Sequence, residues 1–434
     1  MTPDAASKLH HPAFNARRVT LIALLLLLIL SLARWGFFAV DLFEARPRAF
    51  RDFRIFCQYA AEESETGRLY RTDIHSFHLP GSQFFKFPPV VPAALKPFVG
   101  LPRKTIIRIF LVATSIILLA GFLTLVRETR AGPLRALLMS LVFLNWQPTW
   151  DSVAGLTVES FLGLMLVLTF VWLWRGHLWL AGVPLGIAAA TKVYPVLFLA
   201  IFVYFRRWRV LLGAAISAIA LLLAAGLVLD HRYTIEYFTQ VLPTLGGTAL
   251  QTDNVSALAN LGRAGAYLQL GGEEFRKWVL QSYLEVDELV SVRPMVWLAY
   301  IALAIILVLT ALRHVPFSRA KRTLRGEGNA LCLTVCFVLL MIPSSWYGYQ
   351  NLLLFPLLVL FGNLPGSWKQ WHLWIWPALT VAIGATLFGG GRLYEEYPVL
   401  HSAVRSLLPI LIWVGWIRYL GADRTDRVPA AALN

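Results

Sequence analysis

The stretch VTLIALLLLLILSLARWGFFAV, residues 19–40, is an almost unbroken apolar run close to the start of the chain. A helix of this length is long enough to cross the roughly 30 Å hydrocarbon core of a bilayer. The preceding segment HHPAFNARR resembles the basic region of a signal peptide, but no small-residue cleavage site follows it. We therefore expect a retained signal anchor, which forms the first membrane helix.

The rest of the chain has the same apolar character. Of its 434 residues, 58% are hydrophobic and 15% are charged, and the mean hydropathy is +0.63. A soluble domain cannot bury so much apolar surface, so the composition indicates an integral membrane protein. We predict an all-α polytopic protein with about twelve membrane helices, several of them short or broken, and with amphipathic helices in the outer loops. The later apolar runs are 105–126, 136–146, 160–174, 178–190, 193–205, 210–229, 294–312, 329–343, 350–362, 373–389 and 403–420.

The net charge of +15 comes from basic residues that recur between the apolar runs and form no single patch. This spacing is typical of loops that face a cytoplasmic leaflet, and we do not expect nucleic-acid binding. The pattern predicts one integral-membrane domain, residues 1–434, in the inner or plasma membrane, with both termini in the cytoplasm. Its cytoplasmic ends are residues 1–18 and 421–434, and its long outer loops are residues 41–104 and 230–293.

This topology places the polar interruptions of the later helices on the outer side. They include NWQPTWDSVAGLTVES, TKVYP and SSWYGYQ, which are rich in aromatic and hydrogen-bonding side chains. We expect one polar cavity that opens outward beneath the two long loops. No internal repeat of fixed period is visible, which argues against a transporter built from inverted repeats. The three cysteines have neither disulfide nor metal spacing, and the chain lacks a Gly-rich phosphate loop, HExxH and Asp-x-Asp. We predict no metal and no cofactor.

Asp52 is a candidate catalytic group in the first outer loop. It lies in FRDFRIFCQYAAE, where aromatic residues recur at the spacing of an amphipathic helix at the membrane surface. A carboxylate at the mouth of the cavity suits a general base that takes the proton of an attacking sugar hydroxyl. An exposed acid paired with Arg51 or Arg54 is the alternative. Sequence physics does not rank Asp52 against the other outer acids, which are Asp41, Glu44, Asp73, Asp151 and Glu159.

Lys192 lies between two apolar runs, and Pro195 interrupts the helix behind it. A lysine at membrane depth is costly and commonly marks function, and its compact charge suits a lipid-linked phosphate. The alternative is a lysine that snorkels from a helix end. Arg263 lies with Asn254 in the outer segment DNVSALANLGRA, for which a plain hydrophilic helix is the alternative.

Aromatic residues at the outer helix breaks are candidates for substrate binding. Trp346 and Tyr349 lie in MIPSSWYGYQNLLLFP, and Tyr194 follows Lys192. Aromatic faces with hydrogen-bonding neighbours suit a pyranose ring. An interfacial aromatic belt is the alternative.

In their order along the chain, these motifs resemble those of the family-87 glycosyltransferases of the GT-C class. That family includes bacterial polyprenyl-phosphate-mannose-dependent α-mannosyltransferases. The motifs are the pair Asp52–Phe53, then Gly67-x-Leu69–Tyr70, Phe87–Pro88–Pro89, Lys192-x-x-Pro195, Asn254-x-Ser256 with the later Arg263, and Ser344-x-Trp346. The motifs keep this order along most of the chain, and they lie on the predicted outer side.

The resemblance implies a GT-C fold and an inverting transferase that needs no metal. Asp52 would be the catalytic base, and Lys192 and Arg263 would bind the phosphate of a polyprenyl-phosphate sugar donor, with mannose as the hexose. The acceptor would be a glycolipid or glycan hydroxyl at the outer face, in contact with membrane lipids. The substrate-binding residues would be Tyr194, Asn254, Trp346 and Tyr349.

The chain departs from the family pattern at two places. Where the family often has Gly-Gln-x-Asn, this chain has Gly-Leu-Thr-Val at 155–158, and where the family often has a late histidine it has Gly348 and Tyr349. Both changes remove polar groups suited to contacts with sugar, so they bear on the choice of donor and acceptor. The alternatives to an enzyme are a transporter or flippase of a lipid-linked or polar substrate and a non-catalytic subunit of an envelope-glycan assembly.

Overall fold

The computed structural model describes residues 12–44, 51–70, 86–246, 250–251, 254–275, 286–315, 323–364, 372–384 and 398–425. Within these ranges the chain forms helices and turns, with one isolated antiparallel bridge between Asn254 and Trp346. The predicted all-helical class is confirmed.

Most of the predicted apolar runs form α-helices, and further short α-helices lie between them. They are α1 (Pro12–Phe43), α2 (Arg51–Thr66), α3 (Val90–Leu95), α4 (Arg103–Glu128), α5 (Pro133–Asn145), α6 (Gln147–Gly155), α7 (Glu159–Trp174), α8 (Leu178–Thr191), α9 (Ala200–Tyr204), α10 (Trp208–Val228), α11 (His231–Glu236), α12 (Ala257–Leu270), α13 (Arg293–His314), α14 (Leu324–Met341), α15 (Leu354–Asn363), α16 (Ile375–Gly384) and α17 (Pro398–Thr425). Short 3₁₀ helices lie at Lys96–Phe98, Tyr194–Leu199, Leu242–Gly246, Val286–Glu288 and Tyr347–Leu353, and a π-helical turn at Tyr237–Val241.

Six helices in the described ranges are long and apolar enough to cross a membrane, which makes the chain a polytopic membrane protein. They are α1, α4, α10, α13, α14 and α17. The runs at α5, α7, α8 and α16 also form apolar helices, but these have only 10–17 residues. The number of twelve membrane helices stays a prediction, since several apolar runs form helices shorter than a full span.

The spanning helices differ in how much of their surface is buried inside the protein. In α14 and α17, 67% and 61% of the most apolar window is buried, against 6% in α1 and 11% in α13. The two little-buried helices, α1 and α13, therefore leave most of their leucine and isoleucine side chains exposed. This arrangement suits a lipid environment, in which apolar exposure carries no penalty.

Glycines allow α8 and α10 to pack backbone against backbone. A Cβ atom added to Gly182 would lie 2.0 Å from the carbonyl oxygen of Val210, and one added to Gly186 would lie 2.0 Å from that of Ala214. No larger residue fits at such an approach, and close small-residue contacts are typical of helix pairs in membranes. Since α8 ends directly before Lys192, this contact also sets the position of that lysine.

An ion pair connects the start of α10 to α14. Arg207, just before α10, donates from Nε and Nη2 to the Glu327 carboxylate on α14 at 2.6–3.0 Å. Glu327 is fully buried. A fork-shaped pair of this kind fixes both distance and orientation between the two helices.

Candidate active site at the helix breaks

Lys192 lies where α8 ends. Its backbone is extended, with φ −152° and ψ 133°, although its amide still donates to the carbonyl oxygen of Ala188 at 2.9 Å. Pro195 follows in the 3₁₀ helix Tyr194–Leu199, and because proline has no N–H it cannot continue the α-helical hydrogen bonds. The helix break predicted from the sequence is thus present, and Lys192 lies at its start.

The Lys192 ammonium forms an ion pair with Glu159 in the first turn of α7. The two side chains are only 12% and 3% exposed, respectively. A buried charge is costly without a partner, so each of these groups depends on the other. Glu159 also lies near the positive end of the α7 dipole, which favours a carboxylate there.

Aromatic rings surround the lysine ammonium. Its Nζ atom lies 3.8 Å from the centroid of the Tyr349 ring, 5.0 Å from that of Phe87 and 5.5 Å from that of Tyr194. Tyr194 and Tyr349 stack with their centroids 4.9 Å apart and their planes 17° from parallel. The Tyr194 hydroxyl is buried and has no hydrogen-bond partner within the described ranges. These residues form a cation-bearing aromatic pocket, which we call the lysine pocket.

Phe87 connects the lysine pocket to α2 and to Tyr70. Its ring centroid lies 4.7 Å from that of Phe56 on α2, and the Tyr70 hydroxyl donates to its carbonyl oxygen at 2.8 Å. Asp52 lies in α2 one helical turn before Phe56, but its side chain falls outside the described residues. The backbone of α2 therefore places Asp52 one turn from a residue that contacts the wall of the pocket.

Asn254 holds the segment that carries Tyr349. Its side-chain oxygen accepts from the amides of Ser345 and Ser256 at 3.0 and 3.1 Å, and its Nδ2 donates to the carbonyl oxygen of Pro343 at 2.9 Å. Asn254 is fully buried, and its backbone bridge partner Trp346 is half-buried. The asparagine thereby connects α12 to the turn before the 3₁₀ helix Tyr347–Leu353.

Arg263 lies behind this junction, with 2% of its surface exposed. Its Nη1 and Nη2 groups donate to the carbonyl oxygens of Leu250, Gln251 and Asn254 and to the side-chain oxygens of Asn260 and Ser402, at 2.7–3.2 Å. All of these acceptors are neutral protein groups. The guanidinium therefore joins α12 to α17 and to the segment before α12.

The predicted site residues other than Asp52 lie in two groups, the lysine pocket and the junction around Asn254. Lys192, Tyr194 and Tyr349 are in contact in the lysine pocket. Asn254, Trp346 and Arg263 lie at the junction behind it, where Asn254 and Arg263 make their hydrogen bonds to the protein. Glu159 appears in the sequence only as one of several competing acids, and its pairing with Lys192 depends on the packing of α7 against α8.

The two places at which the sequence departs from the resembled pattern face each other. A Cβ atom built on Gly348 would lie 3.7 Å from Thr157 Oγ1 and 3.8 Å from Glu159 Oε2. These are ordinary contact distances, so a side chain at 348 would extend beside the Lys192–Glu159 pair. Both departures thus alter one and the same part of the pocket.

A neighbouring polar cluster was missed by sequence reasoning. Arg405 of α17 lies with its Nη2 atom 4.0 Å from Asp151 Oδ2 on α6, and the Tyr347 hydroxyl shares a 2.8 Å hydrogen bond with His401 Nδ1. The available signal was a charge at residue 405 inside an apolar run, which is rare without a function. Within the described part of the chain, no three His, Cys, Asp or Glu side chains are grouped so that they could hold a metal ion.

Comparisons with known proteins identify relatives of the chain. The family model described as glycosyltransferase family 87 matches residues 84–343. A Mycobacterium tuberculosis protein is 29% identical over 266 residues, which cover 56% of this chain and 57% of the relative. A Mycolicibacterium smegmatis protein is 26% identical over 368 residues, which cover 81% of this chain and 78% of the relative. Both relatives are named polyprenol-phosphate-mannose-dependent alpha-(1-2)-phosphatidylinositol mannoside mannosyltransferase.

Proposed function

The chain belongs to glycosyltransferase family 87, and we propose that it transfers mannose from a polyprenyl-phosphate donor to a hydroxyl group of a lipid-linked or glycan acceptor. The reaction takes place at the outer face of the membrane. The names of the two mycobacterial relatives support this donor. The observation that carries the proposal is the lysine pocket itself, where a buried cation and stacked tyrosines meet at a helix break.

Asp52 is the base in this reaction. Its carboxylate takes the proton of the acceptor hydroxyl while the hydroxyl oxygen attacks the anomeric carbon of the donor. The bond between that carbon and the phosphate oxygen breaks on the opposite side, and the electron pair leaves with polyprenyl phosphate. Attack opposite the leaving group inverts the configuration at the anomeric carbon. The leaving group is polyprenyl phosphate, and the proposed reaction uses no metal.

Lys192 binds the leaving phosphate. An ammonium group has three N–H donors, and Glu159 accepts one of them from behind. Burial makes a nearby cation more effective on the charge that develops on the phosphate oxygen, because little water screens it. Before the donor binds, Glu159 holds the ammonium group in position and balances its positive charge.

The stacked rings of Tyr194 and Tyr349 give the pocket an apolar wall that suits the face of a sugar ring. The buried Tyr194 hydroxyl, which lacks a protein partner in the described ranges, supplies a hydrogen bond to a sugar hydroxyl. Trp346 lies in the segment just before Tyr349, where its backbone pairs with that of Asn254.

Arg263 has a positioning role in this proposal. Its two terminal nitrogens already donate to five protein acceptors, and the proposal therefore assigns the phosphate contact to Lys192. Together with Asn254, Arg263 holds the segment that places Trp346 and Tyr349.

The test is a transfer assay with purified protein, polyprenyl-phosphate-mannose and glycolipid acceptors extracted from the source membranes. We expect Asp52→Asn to lower the turnover by about two to four orders of magnitude, which is the usual contribution of a general base. Asp287→Asn is the matched control, because this outer acid is 70% exposed and lies outside the pocket. Thermal unfolding of both variants checks that the fold is kept.

Wild-type turnover in Asp52→Asn would overturn the assignment of the base. Transfer from a nucleotide sugar alone, without a lipid-linked donor, would overturn the donor class. Movement of the lipid-linked sugar across a vesicle membrane, with no new glycosidic bond, would identify a flippase instead.

A further inference from the structure

Among the described residues, Arg405 is a buried cation with an incomplete set of partners. Its side chain is 5% exposed, and its Nη1 atom has no hydrogen-bond partner within the described ranges. Its Nη2 atom lies 4.0 Å from Asp151 Oδ2, a separation too long for a direct hydrogen bond. A buried guanidinium normally makes several hydrogen bonds, so this arrangement calls for a further acceptor.

An unmatched acceptor lies beside it. Gln350 is 1% exposed, and its Nε2 atom donates to the carbonyl oxygen of Arg405 at 2.8 Å. Its Oε1 atom is buried and has no hydrogen-bond partner in the described part of the chain. Among the described residues, Arg405 thus has one unpaired buried donor, and Gln350, which hydrogen-bonds to the Arg405 backbone, has one unpaired buried acceptor.

Asp151 opens this cluster to the outside. Its side chain is 36% exposed, and Gln147 Nε2 donates to its Oδ1 atom at 2.7 Å. Its other oxygen faces Arg405. The ring of Tyr347 lies on another side, with its centroid 5.9 Å from the Arg405 guanidinium carbon.

The chemistry of the cluster favours a neutral polyol over an anion. A hydroxyl group both donates and accepts, so neighbouring hydroxyls can accept from Arg405 Nη1 and donate to Gln350 Oε1 and the Asp151 carboxylate. A fully ionised phosphate has no hydrogen to donate, and its negative charge would be repelled by the partly exposed Asp151 carboxylate. In the lysine pocket, by contrast, Glu159 is 3% exposed and lies behind its cation.

The cluster and the lysine pocket share one 3₁₀ helix. Tyr347 lies toward Arg405 and His401, whereas Tyr349, two residues later in Tyr347–Leu353, contacts Lys192. A second connection runs through hydroxyl groups, because Ser152, on the helix of Asp151, lies 2.7 Å from Thr157 Oγ1. A ligand at Arg405 would therefore lie against the same 3₁₀ helix that carries Tyr349.

We propose that Asp151, Arg405 and Gln350 form a subsite that binds the hydroxyl groups of a polyol ring in the acceptor. That this ring belongs to the acceptor rests on the proposed function, whereas binding of a neutral polyol at this place does not. The subsite determines which acceptor is presented to the donor in the lysine pocket.

The test measures binding without catalysis. Purified protein is titrated with octyl α-mannopyranoside as the neutral polyol probe and with dodecyl phosphate as the anionic probe, in a detergent without sugar groups. Binding is followed through the shift in thermal unfolding temperature. We expect Asp151→Asn to weaken octyl mannoside binding about tenfold or more, the effect of losing a hydrogen bond to a charged group, and to leave dodecyl phosphate binding unchanged.

Two further variants keep the result interpretable. Arg405→Lys retains the charge but loses the fork of donors, and we expect it to weaken octyl mannoside binding as well. Asp287→Asn is the control and should bind both probes as the wild type does. Unfolding temperatures without probe show whether each variant is folded.

Equal octyl mannoside binding in the wild type, Asp151→Asn and Arg405→Lys would overturn the proposal, as would a dependence of dodecyl phosphate binding on Arg405. If the mannoside effect holds but no mannosyl transfer is found, the polyol subsite stands and the proposed function fails. If transfer is found and its KM for the acceptor is unchanged in Asp151→Asn, the acceptor assignment fails alone.

Discussion

The ammonium nitrogen of Lys192 lies 3.8 Å from the centroid of the Tyr349 ring. The two residues come from helix breaks far apart in the chain, and the contact joins the end of α8 to the 3₁₀ helix Tyr347–Leu353. An ammonium over an aromatic face is attracted by the ring quadrupole, more strongly when water is excluded. This contact makes the position of the cation depend on the segment held by Asn254.

Removing the Tyr349 ring should weaken both the pocket and the reaction. We expect Tyr349→Phe, which keeps the ring face, to be more stable than Tyr349→Leu, which should lose about 1–2 kcal/mol of cation–π energy in addition. Thermal unfolding in detergent measures the difference. Equal stability of the phenylalanine and leucine variants would show that the ring face contributes nothing to holding the lysine.

Lys192 and Glu159 should be strongly coupled. Lys192→Met or Glu159→Gln alone leaves a buried charge without its partner, for which we expect a loss of about 3–5 kcal/mol. The double variant should lose much less than the sum of the two. Denaturation of the four proteins in a double-mutant cycle measures this coupling.

An exposed pair provides the comparison for that cycle. Arg293 and Asp287 are 4.0 Å apart and at least half exposed, so Arg293→Gln should change stability by less than about 1 kcal/mol. Additive effects of the Lys192 and Glu159 changes would contradict a buried pair.

Gly186 should not tolerate even one added methyl group. In Gly186→Ala the new Cβ atom would lie 2.0 Å from the carbonyl oxygen of Ala214, which forces α8 away from α10 and costs about 1–3 kcal/mol. Because Lys192 follows α8 directly, mannosyl transfer should fall as well. Gly36→Ala in α1 is the matched control, since nothing lies within 4 Å of its added Cβ. A Gly186→Ala protein as stable as Gly36→Ala would be inconsistent with the close helix contact.

We expect Arg263 to affect the reaction by holding the segment that carries Tyr349. We expect Arg263→Leu to reduce stability by about 2–4 kcal/mol, since several buried carbonyl groups lose their donor. If the protein remains folded at low temperature, its turnover should fall further than its affinity for dodecyl phosphate. Loss of phosphate affinity equal to the loss of turnover would instead show direct contact with the donor.

Cys57 should react slowly with thiol reagents at neutral pH. Burial raises the pKa of its thiol to about 11, although the positive charge of Arg103 opposes part of the shift. Because the thiolate is the reactive form, alkylation should rise about tenfold per pH unit and level off only near pH 11. The measurement uses a variant in which the buried Cys332 and Cys336 are replaced by alanine, and Cys57→Ser gives the background. A plateau near pH 9 would contradict the burial of the thiol.

Much of the helix pattern was predictable, because apolar runs and proline act locally. The runs 160–174 and 178–190 correspond to α7 at Glu159–Trp174 and α8 at Leu178–Thr191 within one residue at each end. The prediction was less complete at 350–362, where the structure has a 3₁₀ helix before α15. The segment directly before this 3₁₀ helix is held by hydrogen bonds from Asn254, a distant residue, and no local pattern contains such contacts.

The candidate site was predictable only in its components. Lys192, Tyr194 and Tyr349 stand out in the sequence as polar or aromatic residues at breaks in apolar runs. Glu159 could not be selected as the partner of Lys192, and the pairing of Asp151 with Arg405 was missed, because each pair joins residues on separate helices.

By itself the sequence determined that this protein is helical, resides in a membrane and breaks its helices at Lys192 and at 343–349. These properties follow from the hydropathy and backbone chemistry of neighbouring residues. Only the tertiary structure decided that Glu159 compensates Lys192, that the terminal nitrogens of Arg263 donate to neutral protein groups, and that Arg405 has a donor near Asp151 without a partner among the described residues. The reason is physical: a buried charge depends on the groups within a few ångströms of it, and helix packing brings these from distant parts of the chain.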